Sequence, residues 1–343
     1  MRRLLNTLFV TTPDSYLALD GENIVVKKDG DILKRYPLHN LEAVCTFGYA
    51  GASPALMGYC AEKNIALTFL TRSGRFLARV TGEDRGNVTL RKEQYRISDD
   101  EKRSVLVARN FIFGKIYNSK WILERATRDH PLRLDVPRLK RVTASLTETL
   151  KSVRKVEALE VLRGVEGTAA SQYFSVLNDL ILQQKVDFVF RGRSKRPPLD
   201  RVNTLLSFAY TLLSHEVSWA LETVGLDAYV GFMHRDRPGR ASLALDVMEE
   251  LRGVYADRFV LSLINKKMVA AGGFYQKENG AVLMDVEGRK RVLQAWQEKK
   301  QESILHPYLQ ERISWGLVPY AQALLLARYI RGDLEEYPPL LWK

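Results

Sequence analysis

The hydrophobic period of the chain changes once, and that change requires two kinds of architecture. Through about residue 90, short β-rich segments such as SYLAL, NIVVKK and IALTFL alternate with turn signals. Asp20-Gly21, Asp29-Gly30 and Ser73-Gly74 each supply positive φ at a tight turn, so they read as connections between strands. One short helix interrupts them in SPALMGYCAEKN, where Ser53 can cap and Pro54 suits the first turn. From about Ser98, apolar residues recur three and four apart, as in VLVARNFIFGKIYNSKWILERA, which is helical periodicity. Ser98 and Glu101 have capping-box spacing. Polar breaks at HPLRLDVPRL, RGRSKRPP, RDRPGR and AAGGFYQKENG divide the remainder into amphipathic helices. The expected fold is α+β: a small, mainly-β N-terminal domain over residues 1–95 and a larger all-α domain over 96–343.

With 343 residues each part can bury its own core. A net charge of +12 attracts polyanions, so nucleic acid or an anionic membrane surface is the partner class. No apolar run approaches the roughly 20 residues that span a bilayer, and MRRLLNTLFVTTPDS turns polar too soon for a signal peptide. A cytoplasmic protein with no membrane partner is expected. Cys45 and Cys60 sit in apolar surroundings and read as small buried hydrophobes, which excludes zinc chemistry by cysteine. A Walker glycine loop, a serine nucleophile elbow and a metalloprotease histidine pair are all missing from the sequence.

The chemistry gathers in GFMHRDRPGRASLALDVMEELR. A helix starting near Ser242 puts Asp246 on one face with Glu249, three residues on, and Glu250, four residues on. Oxygen ligands on a rigid helix suit magnesium or manganese, and His234 on the preceding loop could fold back to add a nitrogen ligand. Taken alone, such an acidic stripe is also what a solvated helix face looks like. A second acid shifts the balance: Glu166 in RGVEGTAASQYF stands between Gly164 and Gly167. Glycines inside a helix cost about 1 kcal/mol each against alanine and mark close packing or the approach of a ligand. The basic run Arg191, Arg193, Lys195 and Arg196, with Arg235, Arg237 and Arg240 beside His234, reads as phosphate-tracking cations. An ordinary solvated loop carries such charges too, but phosphodiester chemistry requires both metal and phosphate-positioning cations.

Four ordered segments, GNVTLRKEQY, LRGVEGTAASQYF, RGRSKRPPLDRVNTLLSFAYTLL and GFMHRDRPGRASLALDVMEELR, resemble the CRISPR-associated protein one family, the integrase of the adaptation module. The ending RGDLEEYPPLLWK resembles its type I-C branch. The resemblance implies that Glu166, His234 and Asp246 are catalytic and bind Mg2+ or Mn2+, with a further ligand at Glu249 and Glu250 as its competitor. It also implies a homodimer formed through the β-rich domain, and a heterohexamer in which a dimer of CRISPR-associated protein two bridges two such dimers. The implied substrate is double-stranded DNA, both spacer precursor and CRISPR repeat. There a fragment's 3′-hydroxyl attacks a phosphodiester at the repeat boundary. A non-catalytic architectural DNA-binding subunit and a metal-dependent RNA nuclease are the competing classes.

Overall fold

A computed structural model describes residues 6–48, 51–71, 76–80, 82 and 88–343. The chain divides into two compact units, Met1–Arg85 with Met284–Glu302, and Gly86–Leu283 with Ser303–Lys343.

In the first unit, β1 (Thr7–Val10), β5 (Ala43–Phe47), β7 (Ala66–Leu70) and β8 (Phe76–Val80) form one sheet in that order, parallel except for the last pair. A second sheet has the order β4 (Asp31–Pro37), β3 (Asn23–Lys28), β2 (Tyr16–Asp20), β6 (Gly51–Ala52). Its hairpin turns are those the sequence marks: Gly21 at φ +59°, then Asp29 at +52° and Gly30 at +93°. The Ser73-Gly74 turn lies outside the described residues. Helix α1 (Pro54–Glu62) starts as expected, with Ser53 Oγ accepting from Leu56 N. Leu17, Ile24, Leu38, Val44, Leu56, Cys60 and Leu67 share the core, and both cysteines are free and buried.

The second unit is helical: α2 (Val88–Asp99), α3 (Glu101–Asp129), α4 (Val136–Val153), α5 (Leu159–Ser175), α6 (Arg201–Thr223), α7 (Ser242–Leu251) and α8 (Arg258–Asn265). A π-helical turn, Arg252–Asp257, joins the last two. Helix α3 is the central member and packs on α4, α5 and α7. Its N-cap corrects the sequence reading: Asp100, not Ser98, accepts from Lys102 N and Arg103 N. Ser98 lies inside α2 and donates instead to Gly231 O.

Three features depart from a plain two-part division at residues 95–96. Two short ribbons, β9 (Phe274–Gln276) with β10 (Val282–Met284) and β11 (Ser303–Leu305) with β12 (Arg312–Ser314), interrupt the helical sequence. Helix α9 (Val286–Gln301) groups with the strand-rich unit, where Lys300 Nζ donates to Thr7 Oγ1 at 3.1 Å. After α10 (Val318–Ile330), residues 331–343 run as an irregular tail bound to α3 and α7. Among the described residues no helix is long and apolar enough to cross a membrane.

Candidate active site

The site is built on α7. Asp246, Glu249 and Glu250 are 0%, 3% and 0% exposed, so its acidic face is not a solvated surface. Three buried carboxylates in five residues need partners, because an unpaired buried charge costs several kcal/mol. Asp246 takes its partners from the preceding loop. Its Oδ2 accepts from Phe232 N at 2.6 Å and Met233 N at 2.9 Å, and its Oδ1 accepts from His234 N at 3.0 Å. The same Oδ1 lies 2.5 Å from His234 Nδ1. The loop can wrap this closely because residue 231 is glycine: a Cβ there would come within 2.9 Å of Asp246 Oδ2 and of Ser242. From α5, Arg163 donates to Met233 O at 2.8 Å and steadies the loop. With Nδ1 turned to the carboxylate, His234 keeps Nε2 for another partner.

Glu249 takes its partners from cations. Its Oε1 pairs with Arg252 at 2.9 Å and its Oε2 lies 2.6 Å from Lys115 Nζ. Burial alone would raise this carboxyl, but Arg252, Lys115 and the nearby His234 outweigh it and hold the pKa at about 2. The ammonium of Lys115, which projects from α3, also pairs with Glu166 on α5. Thus α3, α5 and α7 each send one charged side chain to a common point, and Glu166 is the most exposed of the three. A Cβ added at Gly164 or Gly167 would meet open space, so these glycines do not mediate close helix packing.

Glu250 turns the other way. It accepts from Tyr337 Oη, from Gln322 Nε2 at 2.8 Å and from Leu340 N at 2.8 Å. Burial pushes its pKa up to about 7 against those three hydrogen bonds. Adjacent glutamates therefore differ in kind: Glu249 is an ionised member of the charged cluster, and Glu250 anchors the tail. Gln322 also pairs with the fully buried His306.

Arg191, Lys195, Arg196, Arg235 and Arg237 are exposed and Arg240 is half-buried. Arg193 departs from the phosphate-tracking reading. Its guanidinium donates to Ser194 O at 2.6 Å, Asn203 Oδ1 at 2.7 Å and Ser207 Oγ at 3.2 Å, and stacks over Tyr210. It fastens the basic loop to α6. Partial desolvation, and then the charges of Arg252 and Arg193, pull the Lys195 pKa down.

The family model described as "CRISPR associated protein Cas1" matches residues 8–298. The chain belongs to the Cas1 family. A CRISPR-associated endonuclease Cas1 from Chlorobaculum tepidum is 47% identical over 343 residues, the whole of both chains. Another from Rhodospirillum rubrum is 49% identical over 347 residues, again covering both chains in full. In fold, the chain resembles a Cas1 protein from Thermotoga maritima, with TM-score 0.81 at 20% identity over 95% of this chain and 97% of that one. It equally resembles a casposase bound to its integration product, with TM-score 0.82 at 21% identity over 98% and 94% of the two chains.

Glu166 on α5, Glu249 on α7 and His234 on the loop before α7 are oxygen and nitrogen donors of the kinds that suit magnesium or manganese. Glu249 Oε2 is buried and, despite its ion pair, has no aligned hydrogen bond. Among the described residues no three histidine, cysteine or acidic side chains close a ready-made metal cage. Lys115 stands where Glu166 and Glu249 approach each other. Both oxygens of Asp246, which the resemblance makes a metal ligand, accept from the loop, and its Oδ1 also meets the imidazole. Sequence reasoning missed Lys115 and Arg252. The available signal was a lysine on the buried stripe of Ala108, Phe111, Ile112, Ser119 and Ile122.

Proposed function

We propose that this chain is a divalent-metal-dependent DNA endonuclease and integrase that inserts foreign DNA fragments into CRISPR arrays as new spacers, in antiviral defence. The observation that carries the proposal is the meeting of Glu166 and Glu249 at Lys115, within a chain of the Cas1 endonuclease family. In this reading Glu166, Glu249 and His234 hold Mg2+ or Mn2+, and Asp246 positions the imidazole. When bound, the ion supplies Lewis-acid charge to the phosphoryl oxygens and lowers the pKa of the attacking hydroxyl.

The remaining work falls to the protein. Asp246 holds His234 Nδ1, which leaves Nε2 as the ring nitrogen that takes the metal. Arg252 places fixed positive charge beside Glu249, where negative charge builds on the phosphate. Arg191, Lys195, Arg196, Arg235 and Arg237 track the DNA backbone. In strand transfer the fragment's 3′ oxygen forms a bond to phosphorus as the bond from phosphorus to the repeat-boundary strand's 3′ oxygen breaks. That oxygen leaves as a hydroxyl, and the number of phosphodiesters is unchanged. Water in place of the 3′-hydroxyl gives endonuclease cleavage.

Double-stranded DNA, both spacer precursor and repeat, is the proposed substrate. The proposed assembly is a homodimer through the strand-rich unit, with two dimers bridged by a Cas2 dimer into a heterohexamer working in the cytoplasm. A fold neighbour, a chain of a Cas6-RT-Cas1–Cas2 complex, supports the choice of Cas2. The ending RGDLEEYPPLLWK supports assignment to a type I-C-like branch.

Resolution of a branched DNA that mimics a half-integrated spacer tests the proposal. Wild type should resolve it with Mn2+ and not with a chelator, and Asp246→Ala should leave it intact. If wild type binds the branch yet leaves it unchanged in Mn2+, the chain is an architectural DNA-binding subunit instead.

A further inference from the structure

Lys115 is a lysine in the wrong place for a surface residue. It lies on the core-facing stripe of α3, and its side chain is 12% exposed. Burying an ammonium costs several kcal/mol unless opposite charge meets it. Here two carboxylates do so, Glu166 from α5 and Glu249 from α7, with Glu249 Oε2 at 2.6 Å. The converse also holds: without Lys115, Glu166 would lose its only described ion-pair partner, and Glu249 would keep Arg252 alone.

From this arrangement we infer that Lys115 is a built-in counter-ion, which holds Glu166 and Glu249 together in the metal-free protein and gives them up when a divalent cation binds. The inference rests on the metal-site reading above and names a residue that reading does not require. An ammonium and a divalent cation at the same carboxylates repel each other and compete for the same oxygens, so binding the ion weakens the lysine pairs. Lys115 also lines a small cavity with Ser119, Tyr173, Arg252 and Asp257, so its side chain borders open space and a buried carboxyl. The cost of that displacement is subtracted from metal affinity. In return, the acids are already gathered before metal arrives.

Calorimetric titration of the full chain with MnCl2, together with thermal melts with and without Mn2+, tests the inference. Lys115→Met should bind Mn2+ about ten-fold more tightly than wild type, since removing one adjacent cation is worth at least a power of ten in a partly buried site. Without metal it should melt below wild type, and Mn2+ should raise its melting temperature by more than it raises that of wild type. Lys115→Gln, which keeps a donor without the charge, carries the same expectation should the methionine variant not fold. Equal or weaker Mn2+ binding by the variants, with wild type binding normally, overturns the counter-ion role and leaves the metal site standing. Absence of Mn2+ binding by both wild type and variants overturns the metal-site reading itself.

Discussion

Asp246 shows how completely one buried side chain can be committed to holding a loop. Its carboxylate accepts from three consecutive backbone amides and from an imidazole, at zero exposure. Asp246→Asn substitutes an amide donor for one of those acceptor oxygens and turns it against N–H groups. We expect a loss of about 2–4 kcal/mol in urea unfolding, the range for breaking a buried polar network. A loss below 0.5 kcal/mol would contradict the positioning role. Glu166, by contrast, is about one-fifth exposed, and its ion pair is partly screened. Glu166→Ala should cost no more than about 1 kcal/mol while removing strand transfer. At this scale the sequence was legible for acids and nearly silent for cations. Glu166, His234 and the Asp246–Glu250 run stand out because glycines and helical spacing frame them. Lys115 reads as an ordinary helix former, and nothing in RGRSKR says that Arg193 is the residue Asn203 and Tyr210 capture.

Among the elements, the π-helical turn after α7 and the tail after α10 fix how α7 sits. Asn118 on α3 donates to Glu250 O and Leu340 O, both at 2.8 Å, and accepts from Trp342 N at 2.9 Å. Asn118→Ala removes all three bonds. Hydrogen exchange at the Leu340 and Trp342 amides should then quicken at least ten-fold, and unchanged exchange would show that the tail is held by other contacts. In the π-helical turn, Asp257 is buried and accepts from Tyr210 Oη at 2.6 Å. Burial pushes its carboxyl up to about 6, against Tyr210, Arg252, Tyr173 and Arg193, which all favour the charged form. The folded state therefore holds a proton between about pH 4 and 6 that the unfolded chain has lost, and stability falls as pH rises through that window. Wild type should lose on the order of 2 kcal/mol relative to Asp257→Asn between pH 4 and pH 7, and a constant difference would contradict the account. The start of α7 near Ser242 was readable from local pattern. The π-helical turn was not, since the elements packed against it, α3 and α6, lie far from it in sequence and leave no local mark.

Across the molecule, the change of period near residue 90 was enough to foresee a strand-rich part and a helical part. The return of α9 to the first unit was not foreseeable, because its partners, such as Thr7, lie almost three hundred residues away and leave no mark on local periodicity. The +12 charge is likewise a property of the whole chain, and its consequence is measurable. Affinity for duplex DNA should fall with a log-log slope of roughly −0.9 per neutralised phosphate. Replacing exposed Arg191 or Arg196 with alanine should flatten that slope by about one unit without changing the melting temperature, whereas Arg193→Ala should lower the melting temperature. Equal effects at all three positions would mean that the division between tracking and fastening arginines is wrong.

The most direct measurement is an anomalous-scattering map from crystals of the protein grown with Mn2+. A single peak coordinated by Glu166, His234 Nε2 and Glu249, with Asp246 still hydrogen-bonded to His234 Nδ1 and Lys115 moved off the acids, is the result predicted. A peak bonded to Asp246, or one lying away from these side chains, would contradict the account.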